Sequence, residues 1–172
     1  MTTHTSTTAS PGGHWEPPSA VRRLQLISQA ESVAIVGASN KPSRSSYFVA
    51  TYLLSASRFR VYFINPTIER ILGHRVYPSL EELPEAPDIV DVFRKPSDVP
   101  AIAEETVTVG ASTLWLQLGI ENLEAAQRAT AAGLAVVQNR CLKIEHARFH
   151  GGLNLAGFNT GVISSRRQRL DG

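Results

Sequence analysis

An apolar run, Val33-Ala34-Ile35-Val36 behind Ser32, stops abruptly at Gly37-Ala38-Ser39. The run is continuous rather than alternating, so it suits a strand buried on both faces, the situation of an inner strand in a parallel sheet. A loop of small and polar residues follows, Ser39-Asn40-Lys41-Pro42-Ser43-Arg44, and a helical pattern sets in from Ser46. Strand, small-residue loop and helix make a phosphate site by geometry alone. Loop amides and the first turn of the helix face one spot, and both carry partial positive charge. The later segments are read as completing a pocket around that loop.

Residues 1–18 are rich in Thr, Ser, Gly and Pro and nearly free of aliphatics, a composition that cannot offset the entropy of ordering, so a disordered tail is expected. Trp15 is its one large apolar group, either docked on the domain or exposed. Ser19 caps a helix expected over 19–30 through Val21, Leu24 and Ile27. Strands are expected at 32–37, 59–64, 88–93, 113–118 and 134–137, with helices near 47–57, 97–108 (Ser97 as cap; Val99, Ile102, Ala103 and Val107 inward) and 121–132. Gly73 to Tyr77 reads as a hairpin or turn arm, and Ser79 as the cap of a short helical turn. Gly133 stands in the C′ place of the 121–132 helix. Strands alternating with helices predict an α/β fold, a doubly wound parallel sheet of five strands in the order 3-2-1-4-5 flanked by helices. The domain is expected over 19–145, with a C-terminal extension over 146–172.

In such a sheet a ligand binds beyond the carboxyl ends of the strands, at the topological switch point. The residues to inspect are Gly37-Ala38-Ser39, Asn65-Pro66, Phe93-Arg94-Lys95-Pro96, Gln117-Leu118-Gly119-Ile120 and Asn139-Arg140-Cys141. They are rich in Gly, Pro, Asn, Arg and Gln for loops that only connect elements. A nicotinamide dinucleotide is disfavoured: the first loop lacks the second and third glycines of the dinucleotide fingerprint, and Asn65 stands where an acid would hold the ribose. The loop is basic instead. Lys41 and Arg44 flank Ser39, Ser43, Ser45 and Ser46, which suits a diphosphate. The competing reading is a tight strand-to-helix turn with solvated charges. Pro66 and Pro96 either end strands or offer flat apolar surface to a ligand, and Phe93 is either core or contact. Arg94, directly after a buried strand, needs a partner: a ligand phosphate or an acid of a neighbouring loop.

The ordered set Gly37-Ala38-Ser39, Pro42, Arg44-Ser45-Ser46-Tyr47, Asn65-Pro66, the tract Asp88 to Arg94, Trp115 to Ile120 and Asn139-Arg140-Cys141 resembles the small stand-alone CoA-binding proteins. That family is Rossmann-like and similar to the CoA-binding domain of the succinyl-CoA synthetase alpha subunit. The resemblance runs from about Ser32 to Glu145. It implies coenzyme A or an acyl-CoA as ligand, with Gly37, Ala38, Ser39, Lys41, Pro42, Arg44 and Ser46 around the diphosphate. Asn65, Pro66, Phe93, Arg94 and Pro96 would line the nucleotide side, and Gln117, Gly119 and Ile120 the pantetheine arm. The thiol or thioester end would lie near Gln117 and Cys141.

No catalytic residue and no metal ligand is assigned. His4, His14, His74, His146 and His150 form no triad pattern with a nucleophile and an acid. His146 and His150 are placed to share a helix face. Cys141 has two readings, a thiol that forms a mixed disulfide with the ligand and a small buried hydrophobe. The formal net charge of +2 is too small to argue for nucleic acid. A single cysteine fits a reducing, cytoplasmic setting, and no run is long enough for a membrane helix. The Gly-rich stretch 150–159 either folds over the pocket, pairs with a second copy as a homodimer, or stays loose. A non-catalytic CoA-binding protein is the leading expectation. An NAD(P)-dependent oxidoreductase with an atypical loop and a regulatory interaction protein with a vestigial pocket stand behind it.

Overall fold

A computed structural model describes residues 14–150 of the 172-residue chain. Seven strands form one sheet: β1 Ser32–Val36, β2 Arg60–Ile64, β3 Arg70–Ile71, β4 His74–Tyr77, β5 Ile89–Val92, β6 Thr113–Leu116 and β7 Ala135–Val137. Five helices flank it: α1 Ala20–Gln29, α2 Ser45–Ala56, α3 Val99–Thr108, α4 Leu123–Ala131 and α5 Leu142–His150. The fold is Rossmann-like, with every neighbouring pair parallel except the β3–β4 hairpin.

The strand order is β3-β4-β2-β1-β5-β6-β7. The expected order 3-2-1-4-5 is therefore corrected. The third long strand, β5, lies beside β1 and not beside β2. The seat next to β2 is taken by β4, the arm at Gly73 to Tyr77, which pairs Phe63 with Val76 and Ile64 with Tyr77. The topological switch thus falls between β1 and β5, because the chain leaves β1 toward β2 and returns on the other side.

Alternation along the strands sends side chains into two cores. Val33, Ile35, Phe63 and Trp115 pack under α1, α2 and α5, while Ala34, Val36, Val92 and Leu116 pack under α3 and α4. Trp15 docks: its indole N–H donates to the Val136 carbonyl at 2.8 Å, on strand β7 at the sheet edge. Ser19 caps α1, accepting from the Arg22 amide. Two expected caps fail. At α3 the cap residue is Asp98, not Ser97, and no side chain bonds there; the 3₁₀ turn Pro96–Asp98 runs straight into the helix, so Asp98 has helical φ −86 and ψ −14 instead of the extended backbone of a capping residue. The Ser79 side chain makes no capping bond either; the Glu82 amide donates to the Ser79 carbonyl at 3.3 Å, and the first amide of the turn, Leu80, donates to the Glu105 carboxylate at 2.8 Å. The buried face of α3 runs through Val99, Ile102, Ala103 and Thr106, so Val107, one step off that stripe, is exposed. Residues 1–13 and 151–172, including the Gly-rich stretch beyond His150, lie outside the described residues. Among the described residues no helix is long and apolar enough to cross a membrane.

Candidate functional site

The turn after β1 is tight for a stated reason. Gly37 has φ +83, and a Cβ there would lie 2.8 Å from the Phe93 carbonyl oxygen and 2.9 Å from Arg94 Cδ. Only glycine lets the loop after β1 close against the loop after β5. The Gly37 and Ala38 amides both donate to the Ile64 carbonyl, at 3.1 and 3.3 Å. These two amides are therefore already spent on the protein itself. Asn65 fastens the same turn: its Nδ2 donates to the Ala38 carbonyl at 2.8 Å, and its Oδ1 accepts from the Thr67 amide and hydroxyl.

The donors that remain lie one step further along. Among the described residues the Ser39, Asn40, Ser45 and Ser46 amides have no recorded partner, and the cap position of α2, Arg44, offers no side-chain bond. An uncapped helix start carries about half a positive charge and orphan N–H groups. It opens on a cleft of about 520 Å³ lined by Gly37, Ala38, Ser39, Lys41, Arg44 and Ser46, closed by Asn65, Phe93 and Arg94. Ser46 is buried at the cleft wall, and the cations Lys41 and Arg44 make no ion pair among the described residues. Pro42 is exposed on the loop between them.

A second lobe of about 350 Å³ shares Gly37, Asn65 and Arg94 with the first and extends over Pro66, Pro78, Ser97, Asp98, Ile102 and Glu105. Arg94 finds an acid partner: Nε and Nη2 both reach Asp98 Oδ2, at 3.2 and 3.1 Å. Phe93 is half-buried, packed on the core and lining the first lobe.

The remaining expected residues gather elsewhere on the same edge. Pro96 is exposed at the start of a 3₁₀ turn and lines neither lobe. The loops after β6 and β7 lock together instead: Asn139 Oδ1 accepts from the Gly119 amide at 2.7 Å, and the Asn139 amide donates to the Ile120 carbonyl. The buried Gln117 accepts from the Leu142 amide at 3.3 Å, satisfying the start of α5. Cys141 is half-buried against the core, beside the start of α5, and lines neither lobe. Three of the five loop clusters thus share the cleft, and two form a brace beside it. Thr67, Ile68, Pro78 and Glu105 were not singled out from sequence; they reach the cleft only through the β3–β4 arm and the packing of α3.

Two buried groups lie outside the cleft. His146 accepts or donates at Nδ1 with the Tyr52 hydroxyl at 2.8 Å and stacks on His150 at 4.4 Å. Burial, with His150 and Arg58 adding repulsion, pushes its pKa down to about 4. Asp91, on β5 between Ile35 and Trp115, is fully buried with neither carboxylate oxygen bonded. Burial pushes its carboxyl well up, so the folded chain keeps a proton that the unfolded chain releases near pH 4. Its contribution to stability is then full in acid and declines as pH rises above about 4. His146 works oppositely, adding stability as pH rises from about 4 toward 6.5. Asp91→Asn should therefore gain on the wild type steadily from about pH 4 upward. Urea unfolding of both proteins across that range checks it, and parallel pH profiles would refute it.

The described domain has relatives among known proteins. The profile of the CoA binding domain matches residues 31–147. The Bacillus subtilis protein YneT is 34% identical over 130 residues, spanning 76% of this chain and 96% of that one. A hypothetical protein of Pyrococcus horikoshii superposes with TM-score 0.74 at 34% identity, covering 79% of this chain and 97% of its own. The acetyl-coenzyme A synthetase 1 of Ca. Korarchaeum cryptofilum, solved with phosphate and ADP, shares the fold at TM-score 0.57 and 24% identity, over 66% of this chain and 26% of its own.

Proposed function

We propose that this chain, which belongs to the CoA-binding domain family, binds coenzyme A or an acyl-CoA in the cleft at the β1–β5 switch point, without catalysing a reaction. The observation that carries this reading is the uncapped start of α2, opening on that cleft beside Lys41 and Arg44, which make no ion pair among the described residues. A diphosphate there takes hydrogen bonds from the Ser39, Asn40, Ser45 and Ser46 amides and the Ser46 hydroxyl, with Lys41 and Arg44 neutralising its charge. Pro66 and Phe93 supply flat apolar surface for the adenine side. The pantetheine arm runs along the carboxyl edge toward Gln117, Gly119 and Ile120, and its thiol or thioester ends near Cys141. Asn65 argues against a nicotinamide cofactor: it is not an acid, and both ends of its side chain are spent on the protein itself.

Calorimetry against coenzyme A, NAD and NADP tests the reading. Coenzyme A should bind tightest, and tighter binding of a nicotinamide cofactor would overturn it. Arg44→Ala should weaken coenzyme A binding about tenfold, the worth of one charge-assisted bond. The loss should shrink as salt is raised, because Arg44 is exposed and its field is screened. An unchanged affinity would mean that the phosphates lie elsewhere.

A further inference from the structure

We infer that Asp98 competes with the ligand for Arg94, so that the Arg94–Asp98 pair is a resting latch that exchanges for a phosphate when the cleft fills. The inference rests on the diphosphate-binding reading above and adds a residue that tunes it. Arg94 is the one cation that lines both lobes, and Asp98 lines only the second. The aliphatic stem of Arg94 lies across Gly37, since a Cβ on that glycine would meet Arg94 Cδ at 2.9 Å. The stem thus lies at the phosphate loop, with the guanidinium beyond it.

In the structure that guanidinium turns to Asp98. Both Nε and Nη2 converge on one oxygen, Oδ2, and leave the other carboxylate oxygen without a share in the contact. A guanidinium fork is best met by two oxygens, one per N–H, which a phosphate group provides. The pair is also wet, with side-chain exposures of 48% for Arg94 and 29% for Asp98. Exposed pairs of this kind contribute little, so exchanging one for a diphosphate, which carries two charges in all, is favourable. Once Arg94 leaves, Asp98 stands unpaired beside an anionic ligand and repels it. Asp98 therefore lowers affinity twice, by holding Arg94 in the empty site and by repulsion in the full one.

The position suits substitution. Asp98 is the cap residue of α3, yet its side chain makes no capping bond, so the change to asparagine removes no hydrogen bond of the helix. Asparagine is itself a good cap residue. Calorimetry of the full chain with coenzyme A is carried out on four proteins: wild type, Asp98→Asn, Arg94→Gln and the double variant. Asp98→Asn should bind about threefold to fivefold tighter, the scale of a partly exposed pair. Arg94→Gln should weaken binding about tenfold. In the Arg94→Gln background, Asp98→Asn should recover less than it gains alone, since only the repulsion remains to be relieved. An equal gain in both backgrounds, or no gain in the wild type, overturns the exchange while coenzyme A binding stands. Absence of coenzyme A binding in all four proteins overturns the function proposed above and the exchange with it.

Discussion

Gly37→Ala should destabilise the fold by about 3 kcal/mol, and it should do so through a clash rather than through backbone strain alone. Two costs add. The residue has φ +83, where an L side chain pays for the left-handed conformation. The new methyl also meets the Phe93 carbonyl oxygen at 2.8 Å and its carbon at 3.1 Å, and backbone cannot yield as a side chain can. Relief requires β1 and β5 to part at the switch point, the place where the cleft begins. Gly73→Ala separates the two costs. Gly73 has φ +78 with nothing within 4 Å of the added Cβ, so that variant should lose only about 1 kcal/mol. Urea unfolding of the two variants measures the difference. Equal losses would show that the contact with Phe93 is not what makes glycine necessary. Coenzyme A affinity should fall steeply in Gly37→Ala and stay unchanged in Gly73→Ala, because only the first turn borders the cleft.

What sequence reveals of this molecule follows the range of the forces involved. β1 and its glycine turn are legible because one local pattern, an unbroken apolar run ended by Gly37, states both the burial and the break. The caps at Ser19 and Gly133 are equally local. β4 is another matter. Its membership of the sheet rests on two residue pairs with β2, Phe63–Val76 and Ile64–Tyr77, and nothing within the arm announces them. The expected strand order departs from the observed one at that point. The site divides in the same way. The small loop and the cations Lys41 and Arg44 are visible in the chain, but which amides stay free depends on the Ile64 carbonyl, 27 residues downstream of Gly37 in sequence and adjacent in space. Helix α5 hid for a chemical reason. Its inward positions, Leu142, Glu145, His146 and Phe149, keep helical spacing, but half of them are polar groups whose partners lie far away in the chain.

Glu145→Ala should be among the most damaging single changes outside the cleft, costing about 3–5 kcal/mol. The carboxylate is buried, with 3% of its side chain exposed, and its Oε2 accepts from Arg23 Nε at 3.0 Å while Oε1 accepts from Arg140 Nη1 at 3.2 Å. Arg140 and Arg148 are half-exposed and can return to water. Arg23 cannot: its side chain is 9% exposed, and among the described residues its one other hydrogen bond is to the Pro18 carbonyl. The cost is therefore that of a buried guanidinium left without its counter-charge, not the worth of the pair itself. That distinction can be measured. Glu145→Gln keeps the shape and one acceptor and should lose less than Glu145→Ala. Arg23→Met with Glu145→Leu removes both charges and fills the volume, and should recover most of the stability. If the double variant were as unstable as Glu145→Ala, the ion pair would itself be holding α1 to α5. If it recovers, apolar packing of Leu26, Ile27 and Phe149 in the core shared by the two helices is sufficient to hold them together, and the charges serve to fix Arg140 in the loop that follows β7.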